Sequence, residues 1–139
     1  MGLLFFKIDN ISKKEYFIGE ESIIFTIEFY RMESGKCPVE EFMDALPIKL
    51  RVKAIDSLQI LEEMGTTLRS PYSKYIRDGI MELRIKFSSD IVRIFYFFQK
   101  ENRIIVTNGF IKKSMKIPKK EIQLACKYKA DYERRHYHE

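Results

Sequence analysis

The stretch MELRIKFSSDIVRIFYFF, residues Met81 to Phe98, predicts two antiparallel β-strands joined by a tight turn at Ser88-Ser89-Asp90. In the first strand apolar residues alternate with Glu82, Arg84 and Lys86, so the two sets lie on opposite faces. The second strand is apolar on both faces, as central strands are, and Arg93 is its only internal charge. A lone arginine there needs either a carboxylate partner or an exposed functional face. Candidate partners are Glu82, Asp78 and Asp90.

The elements around this hairpin predict a small α+β domain. Strands are expected at Ile23–Arg31, Ile80–Phe87, Ile91–Phe98 and Arg103–Ile111, with a loop at residues 66–73. Helices are expected from Pro38, over Pro47–Met64 with Gly65 as a stop, and from Pro118 to about Arg134. The predicted fold is a helical hairpin plus a C-terminal helix packed on one face of a mainly antiparallel sheet of about four strands. The other face is then left partly open to water.

Each predicted helix carries apolar residues at helical spacing, which predict its buried stripe. The residues are, in chain order, Val39, Phe42 and Leu46; Ile48, Val52, Ile55, Leu58 and Leu61; Ile122, Ala125, Cys126 and Tyr132.

The length of 139 residues fits one domain better than two. We expect the domain to span residues 22–134, preceded by an extension of uncertain structure at residues 1–21 and followed by a polar tail at residues 135–139. Two cysteines, Cys37 and Cys126, without metal-type spacing indicate a reducing compartment and core packing. No run approaches the ~20 apolar residues of a membrane helix, and no secretory signal is convincing, so a cytoplasmic location is expected.

Basic residues are concentrated in the second half of the chain. Residues 1–70 hold nine Lys/Arg against twelve Asp/Glu, whereas residues 71–139 hold sixteen against eight. Such a distribution favours a nucleic-acid partner or, equally well, a solubilising surface.

Five lysines crowd the segment from Asn108 to Lys120, at the end of the last strand and the start of the last helix: Lys112, Lys113, Lys116, Lys119 and Lys120. Cations at a helix N-terminus oppose the helix dipole, which a fold tolerates more readily where anions bind. The alternative is a solvated lysine-rich loop. Phe110 beside this segment is suited to stacking on a base or to packing in the core.

Familiar metal and nucleophile motifs are absent from the sequence. There is no CxxC pair, no HExxH motif and no phosphate-binding glycine-rich loop, and His136 and His138 stand in the tail. Catalysis would therefore depend on Lys, Arg, Tyr, Asp or Glu, with no cofactor expected.

Four segments of the sequence resemble the phage-derived branch of HigB-type toxins, within the RelE/ParE superfamily of type II toxin–antitoxin systems. They are IRDGIMELRI, DIVRIFYFF, NGFIKKSMKIPKKEI and LACKYKADY, and the resemblance extends from about Ile23 to Tyr132. The run from Gly109 to Ile122 is the most specific part. The resemblance implies the fold predicted above.

The resemblance also implies an activity and partners. The expected activity is ribosome-dependent cleavage of mRNA in the ribosomal A site, blocked by a HigA-like antitoxin with a helix-turn-helix domain. Operator DNA is then bound only through the antitoxin, and no membrane is involved. RNA is cut without a metal when its own 2′-OH attacks the adjacent phosphate, provided that the phosphorane is neutralised and protons are transferred.

The motif match implies particular roles for the basic residues. The expected catalytic residues are Arg93, which binds the scissile phosphate, with Arg84 beside it, and Lys113. Lys112 and Lys113 are expected to bind the scissile or flanking phosphates, and one lysine with a lowered pKa to act as base or acid. The expected RNA-binding residues are Lys112, Lys86, Lys116, Phe110 and Lys119.

The sequence departs from the family at one position. Several RelE-type toxins have a Tyr or His near the closing helix as a proton-transfer group, where this chain has Ile122. Tyr128, Tyr96 and Tyr75 are candidate substitutes, although packing roles suit them too. Two other functions stay open: a ParE-like inhibitor of DNA gyrase without ribonuclease activity, and a non-catalytic nucleic-acid-binding module. The arginine pair and the lysine run favour RNA chemistry.

Overall fold

A five-stranded mixed sheet forms the centre of the protein, with helices on both of its faces. The computed structural model describes residues 17–18, 21–112 and 116–137, with side chains from residue 23 onwards. The strands are β3 (Thr26–Phe29), β4 (Ser73–Arg77), β5 (Ile80–Phe87), β6 (Asp90–Gln99) and β7 (Arg103–Lys112), in the order β3-β7-β6-β5-β4. A separate pair of two-residue strands, β1 (Phe17–Ile18) and β2 (Glu21–Ser22), is antiparallel. Except for these backbone positions, the predicted extension lies outside the described residues.

The sheet has one strand more than the sequence predicted. Strand β4 begins at the last residue of the expected loop and continues through residues for which no element was expected. It pairs antiparallel with β5, Ser73 opposite Leu83. Strand β3 pairs parallel with β7, while the other neighbours are antiparallel, so the sheet is mainly antiparallel as predicted. The expected central strand, β6, is indeed the middle strand.

One face of the sheet is covered by the predicted helical hairpin. The helices α1 (Pro38–Asp44) and α2 (Ile48–Met64) pack with Leu83, Ile94 and Val106 in one apolar core. Helix α2 ends at Gly65, whose positive φ of 56° suits glycine and whose Cα leaves room for the Phe25 ring. Its buried residues are Leu50, Ala54, Leu58, Leu61 and Glu62, whereas Ile48 and Val52 are 61% and 50% exposed. The expected stripe is therefore right at Leu58 and Leu61 and wrong at Ile48 and Val52.

The third helix, α3 (Lys119–Arg135), packs on the opposite face of the sheet, which corrects the expectation of helices on one face only. Its Ala125 and Tyr132 are buried as predicted, while Ile122 and Cys126 are half-buried. They form a second core with Phe95, Phe97, Phe110 and other residues of this face.

A bulge in β7 fixes the start of α3 against the sheet. The register passes from Phe95–Asn108 to Tyr96–Val106, so Thr107 is an extra residue on β7. The Asn108 Nδ2 donates to the Glu121 carbonyl oxygen at 3.2 Å and to its carboxylate at 3.3 Å. These bonds place the first turn of α3 beside the middle of β7.

Within the described ranges, none of the helices combines the length and hydrophobicity needed to cross a membrane.

Candidate functional site

Basic side chains from the four neighbouring strands β4, β5, β6 and β7 lie on the side of the sheet that faces α3, next to the α3 core. Directly opposed residues of neighbouring strands share a face. The register opposes Lys74 to Glu82 and Arg84 to Arg93, and it places Ile91 between Lys86 and Lys112. We call Lys74, Arg84, Lys86 and Lys112 the basic cluster. The apolar α3 core ends at Phe95 and Phe110, and the next residues on this face of those two strands are Arg93 and Lys112.

Arg93 lies beside the basic cluster as part of a buried ion pair with Glu82. The Arg93 Nη1 donates to the Glu82 Oε1, and the two side chains are 3% and 0% exposed. The expectation that Arg93 lies on an exposed face is therefore wrong, and the alternative of an ion pair with Glu82 is confirmed. The physical reason is that Arg93 is next to Phe95, where α3 and the neighbouring strands exclude water.

This pair is only partly satisfied. Within the described ranges, the Arg93 Nε and the Glu82 Oε2 have no hydrogen-bond partner. Such groups are uncommon in protein interiors because an unpaired buried polar atom costs roughly 1–3 kcal/mol. The pair therefore contributes less to stability than a fully hydrogen-bonded buried ion pair would.

Lys112 is half-buried and lies closest in register to the charged pair among the basic residues of β7. Desolvation lowers its pKa, and the positive charge of Arg93 lowers it further. Glu82 acts in the opposite direction, while Arg84 and Lys74 again lower the pKa. A lysine so placed gives up its proton more readily than an ordinary lysine.

The other members of the basic cluster are accessible. Arg84 is half-buried, and Lys74 and Lys86 are exposed. Among the described residues, none of these three side chains forms an ion pair with a carboxylate. Converging cations without counter-charges are suited to binding an anion.

The remaining predicted site residues fall into three groups. Phe110 is 8% exposed and packs on Phe95 with ring centroids 5.5 Å apart, so it belongs to the core and the base-stacking expectation is wrong. Lys116 and Lys119 are exposed. Lys113 lies outside the described residues.

The three candidate tyrosines do not join the basic cluster. Tyr96 is on the hairpin-facing side of the sheet, where its hydroxyl is 2.6 Å from the Ser73 hydroxyl and burial raises its pKa. Tyr128 is stacked on Tyr30 with ring centroids 4.8 Å apart, and burial raises its pKa too. Tyr75 is 59% exposed, and its hydroxyl accepts a hydrogen bond from the Gly79 N–H at 3.3 Å. Tyr96 and Tyr128 are packing residues.

One contributor to the site, Lys74, was missed in the sequence. It was not singled out because β4 was not expected, and the alternation of Ser73, Lys74 and Tyr75 is too short to be decisive. Glu82, by contrast, was named from the sequence as a candidate partner of Arg93. Among the described residues, no group of three or more His, Cys, Asp or Glu side chains is arranged to hold a metal ion.

A known protein family matches most of the chain. Residues 41–129 match the family described as phage derived protein Gp49-like (DUF891), and the chain belongs to that family. The family is related to RelE/ParE-type toxins. The match includes Lys74, Arg84, Lys86, Lys112 and the Arg93–Glu82 pair. No curated protein matches the chain.

Proposed function

We propose that this protein is the toxin of a type II toxin–antitoxin system, HigB-like in specificity, that cleaves mRNA in the ribosomal A site without a metal. The observation that carries the proposal is the basic cluster: accessible cations from β4, β5 and β7 lie on one face of the sheet, beside a buried arginine. The membership of the Gp49-like family supports the same conclusion.

The chemistry follows from the properties of the side chains. In the proposed reaction the 2′-OH of one nucleotide loses its proton to solvent water and attacks the adjacent phosphate, which forms a 2′,3′-cyclic phosphate as the 5′-oxygen of the next nucleotide leaves. Arg84 binds the non-bridging oxygens, because a guanidinium offers two parallel donors to a phosphate. Lys112, whose proton is released more readily than that of an ordinary lysine, protonates the leaving 5′-oxygen.

Arg93 takes an indirect role in this proposal. Its guanidinium is buried beside the cluster, where its positive charge favours the phosphorane and lowers the pKa of Lys112. The programmed ribosome positions the mRNA, and Lys86 and Lys74 bind flanking phosphates. Lys113, Lys116 and Lys119 remain predicted contributors to RNA binding and catalysis. The proposed partner is a HigA-like helix-turn-helix antitoxin, through which the complex binds operator DNA.

The test is cleavage of a defined mRNA by purified protein, with and without programmed ribosomes. We expect cleavage only with ribosomes, and a fall in kcat of roughly 10²–10⁴-fold in Lys112→Ala, the usual contribution of a general acid or base. Lys49→Ala is the matched control, because Lys49 is an exposed lysine at the start of α2 and does not belong to the basic cluster. Its kcat should equal that of the wild type.

Two results would contradict the proposal in different ways. Equal cleavage by Lys112→Ala and wild type would remove Lys112 from the reaction. An absence of cleavage by wild-type protein that still arrests growth would contradict the nuclease. Inhibition of supercoiling by purified DNA gyrase would then identify the ParE-like alternative.

A further inference from the structure

A cleft lies between α2 and the part of β5 that β4 leaves uncovered. It consists of two adjoining hollows with cavity volumes of about 410 Å³ and 340 Å³. Both are lined by Ser57, Ile60, Tyr72 and Arg84. Each volume falls within the roughly 300–1,000 Å³ range of small-molecule sites.

The walls of the cleft carry large apolar and aromatic surfaces that are open to solvent. Tyr72 is 62% exposed, Ile60 is 49% exposed and Met64 is 43% exposed. Within the described ranges, the Tyr72 side chain has no hydrogen bond, and its ring stacks on no other ring. An exposed ring above an apolar hollow provides a stacking surface for a planar ligand.

The charges around the cleft have one sign. Four of the lining residues are basic and none is acidic: Lys53, Arg69, Arg84 and Lys86. In the part of the chain that the structure describes, Arg69 and Arg84 are the only arginines whose side chains have neither a hydrogen bond nor an ion pair. The cleft is therefore complementary to an anion that also offers a flat apolar surface.

The cleft is continuous with the basic cluster. Arg84 lines both hollows and is opposite Arg93 on the sheet. Ile91 lines the second hollow and lies between Lys86 and Lys112 in the register. A nucleotide with its phosphate on the cluster can therefore place its base in the cleft.

We propose that this cleft binds a nucleobase of the RNA whose phosphates lie on the basic cluster, and that guanine fits it best. The inference rests on the proposed function. The guanidinium group of Arg69 only donates hydrogen bonds, and guanine offers the acceptors O6 and N7 on one edge, while Arg84, where the cleft meets the basic cluster, stays on the phosphate. Tyr72 stacks on the base, and Ile60 and Met64 form the apolar wall. The cleft thereby contributes to the choice of the cleaved sequence.

The direct test is a titration followed by methyl NMR of protein labelled at the methionine methyl groups. The probes are GMP, AMP, CMP and UMP added to the full chain. We expect the Met64 methyl signal to shift saturably, most strongly with GMP, while Met43, which is 2% exposed in the hairpin core, stays unchanged. Tyr72→Ala should weaken binding by roughly 5- to 150-fold, as expected for loss of one base–aromatic stack, and Tyr72→Phe should retain it.

A second tyrosine provides the matched control. Tyr75 is 59% exposed on β4, and it does not line either hollow. Tyr75→Ala should therefore leave the GMP affinity unchanged. On programmed ribosomes, Tyr72→Ala should raise KM for the preferred codon and reduce the preference between codons, with kcat retained.

The outcomes separate this inference from the proposed function. If no nucleotide shifts the Met64 methyl signal while the protein still cleaves mRNA on ribosomes, the cleft proposal is wrong and the proposed nuclease activity is supported. If a capped peptide of alternating Glu and Leu shifts Met64 and nucleotides do not, the cleft docks protein instead, which also overturns the proposal. If GMP binds as described and the protein cleaves no RNA, the proposed base site is supported and the proposed nuclease activity is wrong.

Discussion

The α3-facing side of the sheet has two parts, built in opposite ways. Towards the C-terminal end of α3, the aromatic residues Phe95, Phe97 and Tyr132 pack in a core, with the Tyr132 ring edge-on to Phe97 at 5.7 Å between centroids. At the other part, Glu82 and Arg93 are equally buried but charged. Water is excluded from both, yet only the first gains stability simply by excluding it.

The comparison teaches what the buried charges contribute. A buried ion pair is often no more stabilising than well-packed apolar residues of similar volume. Stability alone therefore does not account for Glu82 and Arg93. In the function proposed above, they contribute instead through the positive charge that Arg93 places near Lys112, with Glu82 keeping that charge tolerable in the interior.

The largest expected effect comes from separating the two charges. Glu82→Leu leaves the Arg93 guanidinium buried without its partner, so we expect the free energy of unfolding to fall by roughly 3–5 kcal/mol. The double variant Glu82→Leu/Arg93→Met should recover most of that loss, because both charges are gone. Urea denaturation followed by circular dichroism measures both.

The same variants separate stability from function. If the double variant is as stable as wild type but cleaves mRNA more slowly, the pair acts through its potential at Lys112. A loss below about 1 kcal/mol in Glu82→Leu alone would mean that Arg93 finds water, and the contrast between the two parts of the face would not hold.

A second expected effect is a loss of folding stability at high pH that arises in the packed part of the face. Burial, and then a 2.6 Å hydrogen bond to Asp131, raise the pKa of Tyr30 to about 12. Because this folded-state pKa exceeds the unfolded value near 10, the stabilisation is present below pH 10 and is lost as the pH rises to about 12. The expected loss is on the order of 2 kcal/mol.

The measurement is the free energy of unfolding between pH 9 and about 12 for wild type and Tyr30→Phe. The variant should lack this part of the alkaline decline. Tyr72→Phe is the control, since Tyr72 is 62% exposed and should change nothing. Identical curves for wild type and Tyr30→Phe would show that Tyr30 titrates normally.

Local patterns were sufficient to predict much of the fold. The β5–β6 hairpin follows from strict alternation and a short turn, and β5 has the predicted bounds. The match of residues 41–129 to the Gp49-like family supports the relation to RelE/ParE-type toxins, while the HigB-type specificity stays a prediction. Strand β4 was missed because an edge strand needs only one buried face, and its residues are mostly exposed.

The remaining errors have a common physical cause, which is tertiary packing. Helix α2 has two overlapping sets of apolar residues at helical spacing, one with Ile48 and Val52, the other with Leu50 and Ala54. Only the position of the sheet decides that the second set is buried. Arg93 was placed on an open face for the same reason, since nothing local to β6 shows that α3 covers the neighbouring residues.

The smallest expected effect concerns how much a polar contact adds to the stability of the packed aromatic part of the face. The Arg103 Nη1 donates to the Tyr132 hydroxyl at 2.8 Å, and Tyr132 is 1% exposed. Tyr132→Phe keeps the ring against Phe97 and removes only the hydroxyl, so we expect a loss of about 1 kcal/mol. A double-mutant cycle with Arg103→Ala, measured by urea denaturation, isolates the contribution of this pair. A coupling free energy near zero would mean that the Arg103–Tyr132 hydrogen bond adds nothing to the packing of the Tyr132 ring on the sheet. In that case Tyr132 would stabilise the packed part of the face through its ring alone, in contrast to the charged side chains at the Glu82–Arg93 end.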